Sequence, residues 1–146
     1  MKIETRCLGS VEISEDQIIH FPQGIFAFEH LHHYVLLEAK APFYWLQSTE
    51  DYRLAFLVAQ PRQLLANYQP KIDESELSLI GLSRLDDAEI WGIITIPPQT
   101  PAAMTINLQG PIIINPQLKL AGQFISTDET HSVRTKILEF LEKSSC

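Results

Sequence analysis

Three histidines, His30, His32 and His33, stand beside Glu29 and form the densest group of metal-capable, proton-carrying side chains in the sequence. Imidazoles with a carboxylate can hold zinc, but this spacing brings ligands to one point only in unusual backbone shapes, and no second cluster completes a set. The group reads as a solvated loop entering a strand. Adjacent carboxylates at Glu50-Asp51 and Asp86-Asp87 fall on turns, where such pairs face solvent far more often than they work as an acid and base. The sequence contains no G-x-S-x-G elbow, Walker loop, HExxH pair or dinucleotide-binding glycine pattern. Six glycines leave little material for a phosphate cradle. These observations predict a protein that is not an enzyme and needs no cofactor or metal.

The remaining polar candidates lie in the block 104–124, around which the chain is organised. Thr105, Asn107 and Gln109 alternate with Met104, Ile106 and Leu108, the period of a strand with one buried face, so Asn107 and Gln109 are expected to share a face. The block then hinges at Gly110-Pro111. Ile112, Ile113 and Ile114 run without a polar break, as in a strand covered on both sides, and Asn115-Pro116 closes it.

Other strands must surround this block. Residues 2–7 and 11–13 alternate around Gly9-Ser10 and predict a hairpin, and 17–21 is a strand leaving its sheet at Pro22 and Gly24. Ile25-Phe26-Ala27-Phe28-Glu29 then makes a loop with a hydrophobic anchor, more readily a plug on a barrel end than an exposed patch. Strands are expected over 34–38, 43–48 and 53–60, and another over 89–96 ahead of Pro97, Pro98 and Pro101. Residues 64–68 are expected to cross the surface, and a short helix is predicted over 73–82, capped by Asp73 or Ser75 and stopped near Gly81. From Thr130 the spacing of Val133, Ile137, Phe140 and Leu141 predicts a C-terminal helix capped by Asp128 or Thr130. The whole describes a mainly β fold, a small barrel or barrel-like sandwich of about eight to ten short strands with peripheral helices.

With 146 residues the chain fits one domain, 1–146. Eighteen acidic against eleven basic residues give a net charge of −7, which repels nucleic acid and anionic membranes and favours a basic protein partner. Cys7 and Cys146 make no disulfide framework, and no apolar run suits a signal peptide or a membrane span. A cytoplasmic protein, with a monomer as the favoured state, is the expectation.

Phe21-Pro22-Gln23-Gly24-Ile25 with Phe28-Glu29, then Leu46-Gln47-Ser48, Leu54-Ala55-Phe56, Pro61, Tyr68, the run 93–96, and Asn107-Leu108-Gln109-Gly110-Pro111-Ile112 with Asn115 follow one another in an order and spacing that resembles the flagellar assembly factor FliW family. The resemblance covers nearly the whole chain. Phe26-Ala27 stands where the family typically has Pro-Gly, which should leave the loop less bent, and His131 stands where a tyrosine is usual. The resemblance implies a non-enzymatic regulator that binds flagellin and, when flagellin is scarce, binds the translational repressor CsrA and removes it from flagellin messenger RNA. Phe26 and Phe28 are then candidate apolar contacts and Asn107 and Gln109 candidate polar ones. Glu29, Glu50 and Asp51 are candidate acidic contacts for CsrA, while Pro22, Gly24 and Pro111 fix chain reversals. The alternative from another class is a small β-barrel module for nucleic acid or oligosaccharide, which would need Phe43, Tyr44 and Trp45 exposed beside basic groups.

Overall fold

The computed structural model describes residues 1–137. Its strands are β1 (Lys2–Glu4), β2 (Ser10–Glu12), β3 (Ile19–His20), β4 (His33–Glu38), β5 (Tyr44–Ser48), β6 (Ala55–Ala59), β7 (Glu89–Thr95), β8 (Thr105–Ile106), β9 (Ile112–Asn115), β10 (Leu120–Gln123) and β11 (Thr135–Lys136). Two single-turn helices, α1 (Pro61–Leu64) and α2 (Glu74–Leu77), lie between β6 and β7.

Seven strands close a barrel in the order β7-β6-β5-β4-β3-β10-β9, with β9 returning to β7. Closure depends on β7 changing partners along its length. Glu89, Ile90 and Trp91 pair with β9, whereas Gly92 and Ile93 pair with β6 and Ile94 and Thr95 with β8. Gly92 marks that change because a Cβ there would lie 2.6 Å from the Ile106 side chain. Every pairing is antiparallel except β3 with β10. Closing the ring removes the free edges that an open sheet of short strands would expose.

The barrel interior is filled by Phe21, Ile25, Tyr34, Leu46, Val58, Trp91, Ile112 and Ile114. The all-apolar run at β9 divides between compartments, since Ile113 points the other way and packs with Leu77, Ile80, Leu82 and Phe124 beneath α2. A third cluster joins Tyr68, Ile90, Ile94, Ile106, Leu108 and Ile137. The β1–β2 hairpin stands outside the ring. It is fastened where Arg6 N donates to the buried Gln47 Oε1 at 3.0 Å, while Gln47 Nε2 donates to the carbonyls of Ser48, Tyr52 and Leu54.

The expected mainly β barrel is what forms, and of the eleven described strands β3 and β8 fall inside the stretches expected as strands over 17–21 and 104–109, whereas β11 lies where a helix was expected. Several expectations change. The strand predicted through Gln109 stops at Ile106, although Ile106 and Leu108 are buried as the alternation requires. Residues 64–68 do not simply cross the surface: Pro61 starts α1, and Leu64 and Tyr68 are buried, with the Tyr68 hydroxyl donating to Leu108 O at 2.6 Å. The helix predicted from Thr130 is absent over its described part. Thr135 and Lys136 form β11 against β8, and Val133 is exposed while Ile137 is buried, so the two do not share a helical face. Asp128 instead closes a local turn by accepting from Thr130 N at 2.9 Å, and Phe140 and Leu141 lie outside the described residues. The helix over 73–82 resolves into α2 plus one 3-10 turn, capped by Asp73 and ended by Gly81 at φ +77°.

Candidate partner-binding groove

The loop 22–31 leaves β3 and returns to β4 at one end of the barrel. Its fold is dictated by two tight turns, in which Gly24 N donates to Phe21 O at 2.9 Å and Phe28 N donates to Ile25 O at 2.7 Å. Gly24 takes φ +69°, and a Cβ there would meet the Glu29 backbone at 2.5 Å, so only glycine lets the two limbs approach. Ala27 also sits at φ +74°. The loop therefore bends fully despite having Phe26-Ala27 where the resemblance offers Pro-Gly, against the expectation of a less bent segment.

These turns sort the side chains. Ile25 is buried in the barrel as the plug. Phe28 is half-buried, with its ring edge-on to Phe56 at 5.6 Å. Phe26 points outward at 50% exposure, and its amide donates to Gln123 Oε1 at 3.0 Å. Gln123 completes the link by donating to Gly110 O at 3.0 Å, so β10 holds both the loop and the hinge of the central block.

Between this loop, β10 and the 3-10 turn after α2 runs a groove of about 390 Å³. Phe26, Leu79, Ile80 and Phe124 supply its apolar walls, Gly122 its floor, and Glu29 its single charged lining group. Leu79, at 55% exposure, faces solvent as openly as Phe26. Asn115 positions the Leu79 wall by donating to Ile80 O at 3.0 Å and Gly81 O at 3.3 Å. Sequence reasoning missed Leu79, Phe124 and Gly122 as groove residues. Leu79 was readable only as one more apolar position of a short helix.

The other predicted site residues are dispersed. Asn107 Oδ1 accepts from Gln109 N at 3.1 Å and Gly110 N at 2.8 Å, capping its own turn, and Gln109 O accepts from Ser126 N at 2.7 Å. Neither sits on a strand face offering paired side chains, because the Asn107 side chain captures the backbone that would have continued the ladder. Glu50 accepts from His32 N at 2.6 Å, His33 N at 2.8 Å and His33 Nδ1 at 3.1 Å. Burial works to raise its carboxyl, but these three donors outweigh it and hold the group below the usual carboxylate range. Asp51 is lowered first by its side-chain bond to Arg53, whose Nε lies 3.1 Å from Oδ1. Of the three acidic candidates, Glu29 alone lines the groove.

Among the described residues no group of three His, Cys, Asp or Glu side chains is arranged to hold a metal ion. The Tyr34 hydroxyl is buried without a hydrogen-bond partner, and burial with the nearby Glu50 charge pushes it up to about 12. It therefore stays neutral inside the barrel. No helix among the described residues is long and apolar enough to cross a membrane.

Fold and groove define a class of small closed β-barrels in which a plug loop and one barrel strand wall an apolar cleft. Comparison with known proteins makes the class specific. The family model described as FliW protein matches residues 2–137. The flagellar assembly factor FliW of Leptospira biflexa serovar Patoc is 45% identical over 145 residues, covering 98% of this chain and 95% of its own. That of Treponema denticola is 39% identical over 139 residues, covering 94% of each. A crystal structure of the flagellar assembly factor FliW superimposes with a TM-score of 0.87 at 31% identity, covering 94% of this chain and 96% of that one. The chain belongs to the FliW family.

Proposed function

We propose that this protein is a non-catalytic cytoplasmic regulator of flagellum assembly that binds flagellin in the groove and sequesters the repressor CsrA when flagellin is scarce. The observation that carries the flagellin arm is the pairing of two half-exposed apolar walls, Phe26 and Leu79, across a cleft whose loop amides at Gly24, Phe26, Ala27 and Phe28 are already bonded. Gly24, Ala27 and Phe28 donate within the loop and Phe26 donates to Gln123, so the loop wall has little to offer an added strand. Recognition then falls to buried apolar anchors, the mode in which an amphipathic helix lies in a groove. A basic side chain on that segment would meet Glu29 at the rim. For CsrA the support is the net charge of −7, which speeds encounter with a basic RNA-binding protein. Asp51 already engages Arg53 through both oxygens, whereas Glu50 serves His32 and His33 through Oε1 alone.

The nucleic-acid or oligosaccharide reading finds less support. The Tyr44 ring packs edge-on to the buried Trp91 at 5.1 Å, and Phe43 and Trp45 are half-buried, so no open stacking platform forms.

Calorimetric titration against flagellin and CsrA of the source organism, each then challenged with the other, tests the proposal. Binding to both with mutual interference is expected, with Phe26→Ala and Leu79→Ala weakening flagellin tenfold or more, as for hot-spot anchors losing about 1.4 kcal/mol or more. Binding to neither would overturn the function, and unchanged flagellin affinity in both variants would overturn the groove.

A further inference from the structure

We propose that a second groove, walled by α2 and by the segments 69–72 and 83–85, is the docking surface for a basic protein partner. This deepens the CsrA arm of the proposed function and rests on it, since net charge alone gives that partner no address on the surface. The groove encloses about 600 Å³ and shares no lining residue with the one beside Phe26. Its apolar surface comes from Leu77, which is buried, and from the half-buried Ile72 and Leu85.

Four charged side chains line it, Lys71, Asp73, Glu74 and Arg84, and the two signs are not equally free. Arg84 Nη2 lies 2.9 Å from Asp86 Oδ2, and Asp87 adds a second anion nearby. Lys71 lies toward Asp128, whose carboxyl is held below its usual range first by its bonds from Thr130 and then by the charges of His131 and Lys71. Both cations are therefore answered from within the molecule. Asp73 gives one oxygen to Ser75 N at 3.3 Å, and Glu74 has no side-chain hydrogen bond or ion pair among the described residues. The field left over the groove is negative, on a chain whose net charge is −7. A basic surface is drawn to it and a second copy of this chain is repelled.

The occupant enters with side chains rather than as an added strand. Lys71 N donates to Ser126 Oγ at 3.0 Å and Lys71 O accepts from Thr127 N at 3.0 Å, so this stretch of backbone is already paired. An arginine suits the place, its apolar stem against Ile72 and Leu85 and its guanidinium on Glu74. One packed wall separates the two grooves: Leu77 from this one, with Ile80 and Phe124 from the other, belongs to a single buried cluster. Interference between two occupants therefore does not require a common surface.

Calorimetric titration of the full chain with CsrA of the source organism, and separately with flagellin, tests the surface in three variants. Glu74→Lys should weaken CsrA by about tenfold or more. Glu15→Lys, an exposed reversal outside the groove with the same change in net charge, should alter it by less than about twofold. Ser83→Glu, at an exposed lining position, should tighten it. Flagellin affinity should stay within about twofold in all three. Equal CsrA losses in Glu74→Lys and Glu15→Lys would overturn the surface, because the overall field would then suffice. A flagellin loss in Glu74→Lys that matches the CsrA loss would also overturn it, as would wild-type self-association that this variant abolishes. A wild-type chain that ignores CsrA would sink the repressor arm and this inference together, whereas one that binds CsrA equally well in every variant sinks this inference alone.

Discussion

Phe26 and Gln123, 97 residues apart, are joined by a 3.0 Å bond from the amide of the first to the side-chain oxygen of the second. That bond sets the width of the groove, because it fixes the loop wall to the barrel strand while the same glutamine holds Gly110. Replacing Gln123 by alanine removes both links and leaves the Gly110 carbonyl, in a buried residue, without this donor. A loss of about 1–3 kcal/mol is expected in urea unfolding.

Ala27 is strained where glycine would not be. At φ +74° an L-residue costs roughly 1–2 kcal/mol, against the roughly 0.5–1 kcal/mol of chain entropy that glycine adds to the unfolded state. Ala27→Gly should therefore raise stability by about 0.5–1 kcal/mol, visible as a higher urea midpoint with an unchanged slope. A lower midpoint would mean that the Ala27 methyl makes contacts worth more than the strain.

Asn115 shows how much of this architecture the sequence displayed. Its place before Pro116 reads as a turn, and it is one, since Oδ1 accepts from Gln117 N at 3.1 Å and Leu118 N at 3.3 Å. Its other end reaches Ile80 and Gly81, some 35 residues away, and no local pattern announces that. The same division holds elsewhere. Long alternating or apolar runs such as β4, β5, β6, β7 and β9 were legible because side-chain period and burial report each other. β11 and the groove were not, since each depends on partners far away in the sequence. The C-terminal spacing failed because Thr135 and Lys136 gain more from pairing with the short edge strand β8 than from starting a helix. Phe26 and Glu29 were legible through their loop, whereas Leu79 and Phe124 are ordinary core-like residues until the loop folds beside them.

Replacing Asn115 itself by alanine should be among the most damaging single changes. The side chain is almost fully buried and serves four backbone groups, so its loss leaves the Ile80 carbonyl, in a buried residue, without a partner and frees the Leu79 wall. We expect a cost of about 2–4 kcal/mol in urea unfolding, toward the large end for single substitutions. Asn115→Asp should be nearly as harmful, because a carboxylate keeps the turn acceptor but faces two carbonyls. If alanine costs less than ~1 kcal/mol, Asn115 is not what holds the 3-10 turn in place.

Glu50 gives the acid limb of stability a specific source. Its folded carboxyl lies below the unfolded value because three donors favour the anion. A depressed acid contributes stability that is complete above the unfolded carboxylate range, near 4.3, and disappears as pH falls through the folded value. Glu50→Gln keeps an acceptor for the His32 and His33 amides but cannot titrate. The melting temperature of the wild type should exceed that of the variant at pH 6, and the gap should close between about pH 5 and pH 3. A gap that stays constant to pH 3 would mean that the carboxylate contributes shape without charge.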